Sequence, residues 1–553
     1  MFCLKCGKEI ENGAKFCPHC GAVTSAGAGS APSAPRGDWD TPQEGKKRRG
    51  IPLIIGGVAA VVLVVALIAA AIGGLFSSPQ KQVEKAVAKT IAAYAEASGK
   101  TGIPDLTELV QGRSYSQEFS VALGSISQEL TGWYDLSALK GLGARVGTDY
   151  DQKGRKMDAE IAVFWDDQDL ASFQMLVDGG KISVSSPDFT KGNAYGIDTE
   201  TLGADLDRLG LEDDDIDVKK IGFNIFDLMD KAVPDEQQTK EMKSAAEEAS
   251  KELFNALEVE KVGKQSVQVN GKSTDAILYQ VVIPKSAMKD YLNAMEDVMK
   301  MTDTVGMTKE ILLAMGFDKS TVNEILSEMD SADVYGELFS GLKELVKTIG
   351  DVELQVYVSG GYVCAVEYSD RIEGTKVELE LYLGGGSNYV DDLSLEIAVN
   401  GEKITVESSG DHAGKSGVFT DETTIKVDGS RLTSELRYAP KSDKNNFEWT
   451  LKIDNSASLS MEGQLTTGKN SIDLHLEDLS VKAAGSKLLS LELDYYLGPC
   501  KGMRVSHSAP KMLLEMDEDD LMDLMEDLED NAEDWVYDLR DRLPASLLNS
   551  LYW

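Results

Sequence analysis

Histidine is nearly missing from this chain: four in 553 residues. That leaves few general bases and few nitrogen ligands for a metal. His412, His475 and His507 stand alone, none of them in an HExxH pattern. Cysteine is as scarce, with six, and four of those lie between Cys3 and Cys20. A disulfide framework is thereby excluded. Cys364 and Cys500 remain; a single disulfide between them and two free thiols are equal alternatives. Basic residues are outnumbered 55 to 93, for a net charge of −38. A field of that sign repels phosphates, so no nucleic acid partner is expected. It suits cationic partners. The deficit is uneven: residues 1–50 hold eight Lys/Arg against five Asp/Glu, and the remainder 47 against 88.

What the first segment does have is "FCLKCG" (2–7) and "FCPHCG" (16–21), near-copies that make C-x2-C-x10-C-x2-C. Each pair turns two sulfurs toward one ion, and two such turns complete a tetrahedral site for zinc from Cys3, Cys6, Cys17 and Cys20. Gly7 and Gly21 follow each pair, where a tight knuckle needs a permissive backbone. A redox dithiol would need only one pair. His19 stands between two ligands, but four thiolates already close the site, so the zinc is expected to be structural. These residues resemble the zinc-ribbon domains at the N-termini of many bacterial membrane proteins.

Residues 22–50 follow, rich in Ala, Ser, Gly and Pro, too poor in apolar groups to fold, and ending in Lys46-Lys47-Arg48-Arg49. The one long apolar run, "IPLIIGGVAAVVLVVALIAAAIGGLF" (51–76), carries no charge. A bilayer core takes about 20 helical residues, so this run predicts a single transmembrane helix. A cleaved signal peptide would start nearer the N-terminus. The basic cluster before the run predicts a cytoplasmic N-terminus, and everything from 77 on the outer side.

The outer portion predicts an α+β fold. Periodicity marks a helix at 79–98, and short alternating strands follow from about 115 to 185. Helices fill 201–257, closing a first region (77–257). The second region (258–510) begins with a hairpin turned at Asn270-Gly271. It continues with helices near 285–301, 308–328 and 332–349, then a long antiparallel β-meander from 351 to 498. An open half-barrel and a pair of related halves are finer readings of this layout. An acidic amphipathic C-terminal helix closes the chain (511–553), its stripe of Leu521, Leu524, Met525, Leu528, Ala532, Trp535, Leu539 and Leu543 expected to pack on the open face of the meander.

Motifs of catalysis are weak. "SAMK" (286–289) and "KSG" (415–417) match part of the pattern of penicillin-binding proteins, without the intermediate SDN. "GDHAGKSG" (410–417) has Ser409 where a phosphate loop needs its first glycine. "EDDD" (212–215) and "DEDD" (517–520) lack the spacing and central glycine of a calcium loop. No enzyme is expected, an envelope hydrolase being the least favoured of the alternatives. The layout resembles zinc-ribbon-anchored envelope proteins of Gram-positive bacteria. That resemblance implies a single-pass protein of the cell membrane, with a cell-wall, lipid or protein ligand outside and a protein partner for the ribbon in the cytoplasm. The rhythm of helices and meander is also similar to half-barrel lipid carriers, which implies a hydrophobic ligand.

The four-thiolate assignment predicts about one zinc per chain by elemental analysis of purified protein. Cys6→Ser should lose most of it; retention of full zinc by that variant contradicts the assignment.

Overall fold

The computed structural model describes residues 79–543 and Leu548, apart from 105, 107–113, 133–135, 211–217, 233–235, 302–303, 315, 331–333, 373, 386–388, 443–445, 455 and 508. The predicted zinc ligands, the linker and the apolar run at 51–76 lie outside the described residues. Among the described residues, no helix is long and apolar enough to cross a membrane.

The α+β expectation matches the architecture. Helix α1 (Pro79–Gly99) leads into β1 (Ser114–Ile126), the short α2 (Gln128–Thr131), β2 (Leu142–Asp151), β3 (Lys156–Trp165), β4 (Gln168–Asp178), β5 (Lys181–Ser185) and β6 (Ala194–Asp198). Helices α3 (Leu202–Arg208), α4 (Ile225–Ala232) and α5 (Glu236–Asn255) precede the hairpin β7 (Glu258–Val269) and β8 (Lys272–Ile283). Then come α6 (Lys285–Lys300), α7 (Thr304–Ala314), α8 (Lys319–Asp330) and α9 (Val334–Ile349). The meander is β9 (Val352–Ser359), β10 (Tyr362–Ile372), β11 (Thr375–Gly384), β12 (Asp392–Val399), β13 (Glu402–Ser409) and β14 (Phe419–Val427), followed by β15 (Ser430–Tyr438), β16 (Phe447–Ile453), β17 (Ala457–Thr467), β18 (Ile472–Ala483) and β19 (Ser486–Pro499). Strand β20 (Lys511–Met512) and helix α10 (Glu518–Arg542) follow.

Among the described residues the twenty strands join one open sheet. β7 to β19 pair in chain order, β19 pairs with β1, β1 to β6 follow in order, and β20 adds parallel to β6. Two-residue turns set most of the register. Asn270 and Gly271 both take positive φ (49° and 74°), as the predicted hairpin turn requires. Asn400-Gly401 and Asp428-Gly429 repeat the device. At the β7–β12 end, the inner side chains Val356, Leu379 and Leu381 pack on Val87, Phe254, Met288 and Leu292 of α1, α5 and α6. Helix α1 therefore packs on strands that lie far from it in sequence. Among the described residues no helix packs extensively against β13–β18. There, half-exposed cross-strand ion pairs such as Lys426–Glu407 and Lys452–Glu435 lie on one face, and Val406, Ile425, Leu432 and Leu451 on the other. Each such pair contributes little on its own.

Two expectations need correction. The helix predicted over 308–328 is two, because Gly316 takes φ 89° and the Asp318 carboxylate then accepts the amides of Ser320 and Thr321, starting α8 anew. The helix predicted from 511 begins at 518, where Asp517 caps it by accepting the Asp520 amide, and Lys511–Met512 is strand. It does not lie on the open face of the meander. It runs beside β4, where Asn531, Trp535 and Arg542 donate to the carbonyls of Phe189, Leu170 and Asp169. The bonds to Leu170 and Asp169 occupy backbone acceptors at a stretch of β4 that β5 leaves unpaired, which blunts a sheet edge.

Residues 500–507 cross the sheet as a strap from β19 toward β6, with a polar anchor on most of the strands they pass. Arg504 pairs with Glu118 on β1 (3.0 Å) and with Asp149 on β2 (3.0 Å). The Val505 amide donates to Asp158 on β3 (2.8 Å), and His507 meets Ser183 and Ser185 on β5 (2.8 and 2.9 Å). Asp149 and Asp158 are 1% and 0% exposed. A side chain at Gly147 would collide with the Arg504 guanidinium as it is placed, so the guanidinium would have to shift. Burial raises the Asp158 pKa, against the amide hydrogen bonds it accepts.

Arg504→Ala strands the Asp149 carboxylate without its counter-ion. We expect a loss of about 3–5 kcal/mol in urea unfolding. A loss within error would show that the strap is not anchored by this pair.

Candidate binding surface

Strand alternation sorts β1–β5 into two faces. Directly opposed residues share a face, so the register defines each one. The face under the strap carries Ser116, Glu118, Ser120, Arg145, Asp149, Asp158, Ser172 and Ser183, with few large apolar groups. The other face carries a row of directly opposed residues, Phe119–Val146–Ile161–Phe173. Beside it lies Val121–Ala144–Val163–Ala171.

This arrangement inverts the usual one, in which a sheet buries its apolar side. The polar face holds fully buried carboxylates, whereas Phe119, Val146, Ile161 and Phe173 are 39%, 37%, 49% and 50% exposed. Val163 and Val184 are open to a similar degree. Phe226 of α4 covers one end of the apolar face, in a cluster with Tyr150 and Val177. At the β4 side, Phe173 stacks on Phe189 (5.3 Å), and Phe189 meets Trp535 of α10 (5.3 Å). Exposed apolar patches on this scale mark binding surfaces or aggregation hazards. A second cleft, of about 490 Å³, opens where the strap leaves β19, lined by charged groups such as Glu118, Arg145 and Arg504 and by Phe119, Tyr495 and Tyr496.

The sequence motifs are placed as follows. "GDHAGKSG" is the loop between β13 and β14. Its amides at Lys415 and Ser416 donate to Asp411, so the loop's own carboxylate sits where a phosphate would. Those bonds lower the Asp411 pKa. "SAMK" lies in the first turns of α6, with Ser286 and Lys289 exposed, on a different element from "KSG". "DEDD" is the cap and first turn of α10, where carboxylates complement the helix dipole; "EDDD" lies outside the described residues. Among the described residues, no group of three or more His, Cys, Asp or Glu could hold a metal ion. Cys364 and Cys500 are both free; burial pushes the Cys364 thiol up to about 11. His475 pairs with Asp494 on the surface. Burial lowers the His507 pKa.

His412 is built in. Its Nδ1 faces the Val390 carbonyl (2.6 Å) and its Nε2 faces Asp421 (2.8 Å), so both nitrogens donate and the ring is charged. The Asp421 hydrogen bond raises its pKa. Burial alone would raise Asp421, but donation from His412, Ser408 and Thr423 outweighs it and the pKa is lowered.

Sequence reasoning missed the exposed row and Arg504. The alternation "YSQEFSVAL" (115–123) marked a strand with one apolar face. It carried no sign of which face another part of the chain would cover.

Residues 2–23 match the family model of the zinc-ribbon domain. No curated protein and no solved structure matches the chain. The chain thus has a zinc-ribbon domain at its N-terminus and a large open-sheet α+β domain.

Because the His412 pKa is raised on folding, its stabilising effect is complete below the unfolded value of about 6.5 and fades as pH rises through the folded value. The lowered pKa of Asp421 adds the opposite limit, a loss as pH falls through its folded value. His412→Gln should therefore lower Tm by several degrees at about pH 5.5 and by less at about pH 9. An equal loss at both would rule out the charged pair.

Proposed function

We propose that this chain is a single-pass, membrane-anchored binding scaffold of the cell envelope, with no catalytic chemistry of its own. In this reading the apolar run at 51–76 spans the membrane, the zinc ribbon lies in the cytoplasm, and the open sheet lies outside. The donor set of Cys3, Cys6, Cys17 and Cys20 fits a structural zinc: four thiolates leave no open position for a substrate. The ion would hold the two knuckles together as a platform for a cytoplasmic protein partner.

The observation that carries the reading is the inverted sheet. Keeping Phe119, Val146, Ile161 and Phe173 in water is unfavourable by roughly 25 cal/mol per Å² of exposed apolar area. A wall, lipid or protein ligand outside that covers the row would remove that penalty. The half-barrel carrier reading has less support. The helices at the β7–β12 end fill the sheet's inner side with the protein's own side chains. The groove beside them, of about 700 Å³, is bordered by Lys85, Lys264, Gln265 and Asp275.

One labelling experiment tests both the topology and the surface. Ile161→Cys, in a Cys500→Ser background, is treated with a membrane-impermeant maleimide in intact wall-stripped cells and again after purification. Lys482→Cys, on exposed β18, is the reference. We expect Lys482→Cys to label equally in both settings, and Ile161→Cys to label several-fold more slowly in cells. Absence of label at both sites until the cells are lysed would overturn the topology. Equal rates at both sites would overturn the binding surface.

A further inference from the structure

The apolar surface does not end at the sheet; it continues onto α10, and the chemistry there narrows the partner. Helix α10 docks by one side only. Leu524, Leu528, Trp535 and Leu539 are half-buried, and no residue of the helix is buried outright. At 100° per residue, a second stripe lies beside the docked one: Leu521, Met525, Ala532 and Val536. Leu521, Met525 and Val536 are 39%, 70% and 51% exposed. The stripe runs about 22 Å along the helix. Its spacing of four and seven residues forms a ridge of the kind that another helix accepts in its groove.

The border of this stripe is acidic. Helix α10 has twelve Asp/Glu and only two arginines. Arg542 is engaged with the Asp169 carbonyl and the Asp188 carboxylate, and with Asp538 one turn back on its own helix. Glu518, Glu526, Glu529 and Glu533 flank the stripe, and among the described residues none has an ion-pair partner. A membrane surface with anionic headgroups would be repelled by this border. An acyl chain would satisfy the stripe and leave the carboxylates unanswered.

We propose that α10 and the adjoining β4 corner receive an amphipathic helix of a partner protein, apolar along one stripe and rimmed with Lys or Arg. Phe173, Phe189 and Trp535 form the corner between the sheet face and the helix. This inference rests on the reading of the β1–β4 face as a binding surface, and names the class of partner for it. The apolar stripes supply affinity, and the opposed charges supply partner choice and rate of encounter.

The test uses the full chain in detergent and a synthetic helical Leu/Lys peptide with apolar residues at i, i+3, i+4 and i+7. Fluorescence anisotropy should give a Kd on the order of micromolar. Met525→Ser/Val536→Ser and Glu529→Lys/Glu533→Lys should each weaken it about tenfold or more, with circular dichroism unchanged. A Leu/Glu peptide, and a Lys-rich peptide with the stripe scrambled, should not bind. Equal binding of the scrambled peptide would mean attraction to net charge alone and overturn the proposal, as would indifference to both double variants. A dimer in sedimentation that Met525→Ser dissociates would assign the stripe to a second copy, also overturning it. Removal of residues 544–553 tests the chain's own tail; peptide binding only after that removal would overturn a free groove. A Nile red control separates the two readings. If the peptide fails but Nile red emission falls in Ile161→Ser/Phe173→Ser, the helix partner is wrong and the binding face survives. If neither probe responds, both fall.

Discussion

Two carboxylates with almost no access to water, Asp149 and Asp158, organise one end of this sheet. A buried charge without a partner costs several kcal/mol, so the fold has to bring donors to them. The donors come from far along the chain, as the Arg504 guanidinium and the Val505 amide. Once those are in place, residues 500–507 must lie across β1–β5 on the polar face. The same crossing carries the chain to β6 and sets α10 along the edge of β4. The apolar face is left open as a consequence, since the chain that might have covered it has been committed to the opposite side.

The two ends of the sheet therefore solve burial differently. Around β7–β12, helices from three separate stretches of sequence fill the inner face with close-packed Val, Leu, Met and Phe. Around β1–β5, one short helix covers a corner and the strap covers the polar side. Between them, among the described residues, no helix packs extensively on β13–β18, and their stability rests on hairpin turns, ladder hydrogen bonds, cross-strand ion pairs and a small cluster around Phe419, Tyr438 and Leu465. Alternation puts the ion-paired Glu407, Lys426, Glu435 and Lys452 on one face and Val406, Ile425, Leu432 and Leu451 on the other, and the turns at Asn400-Gly401 and Asp428-Gly429 add to the setting of the register. Such a sheet spaces apart two surfaces of different chemistry.

Much of the fold was legible in the sequence, for local reasons. The helix at 79–98, the hairpin at Asn270-Gly271 and the succession of strands after 351 follow from periodicity and from residues that accept positive φ. The break between α7 and α8 was missed because its apolar pattern continues through Gly316 and Asp318. The start of α10 was placed seven residues early because "KMLLEMD" shares the helix's composition. The candidate surface was less legible. Its strands could be recognised, but alternation alone does not say which side will be covered. Arg504 gave no local signal, since its meaning comes from Gly147 and Asp149.

What this sequence determined by itself is everything decided within a few residues: two cysteine knuckles that make a zinc ribbon, one uncharged apolar run, hairpin turns, helix caps and the acidic bias of the last helix. What only the tertiary structure decided is the pairing of β19 with β1, the path of the strap, and the exposure of Phe119, Val146, Ile161 and Phe173. The physical reason is that strand pairing and burial are contests between distant segments. A strand's period of two fixes that it has two faces, and the buried carboxylates of one face, satisfied from residues over 300 positions away, settle which one remains in water.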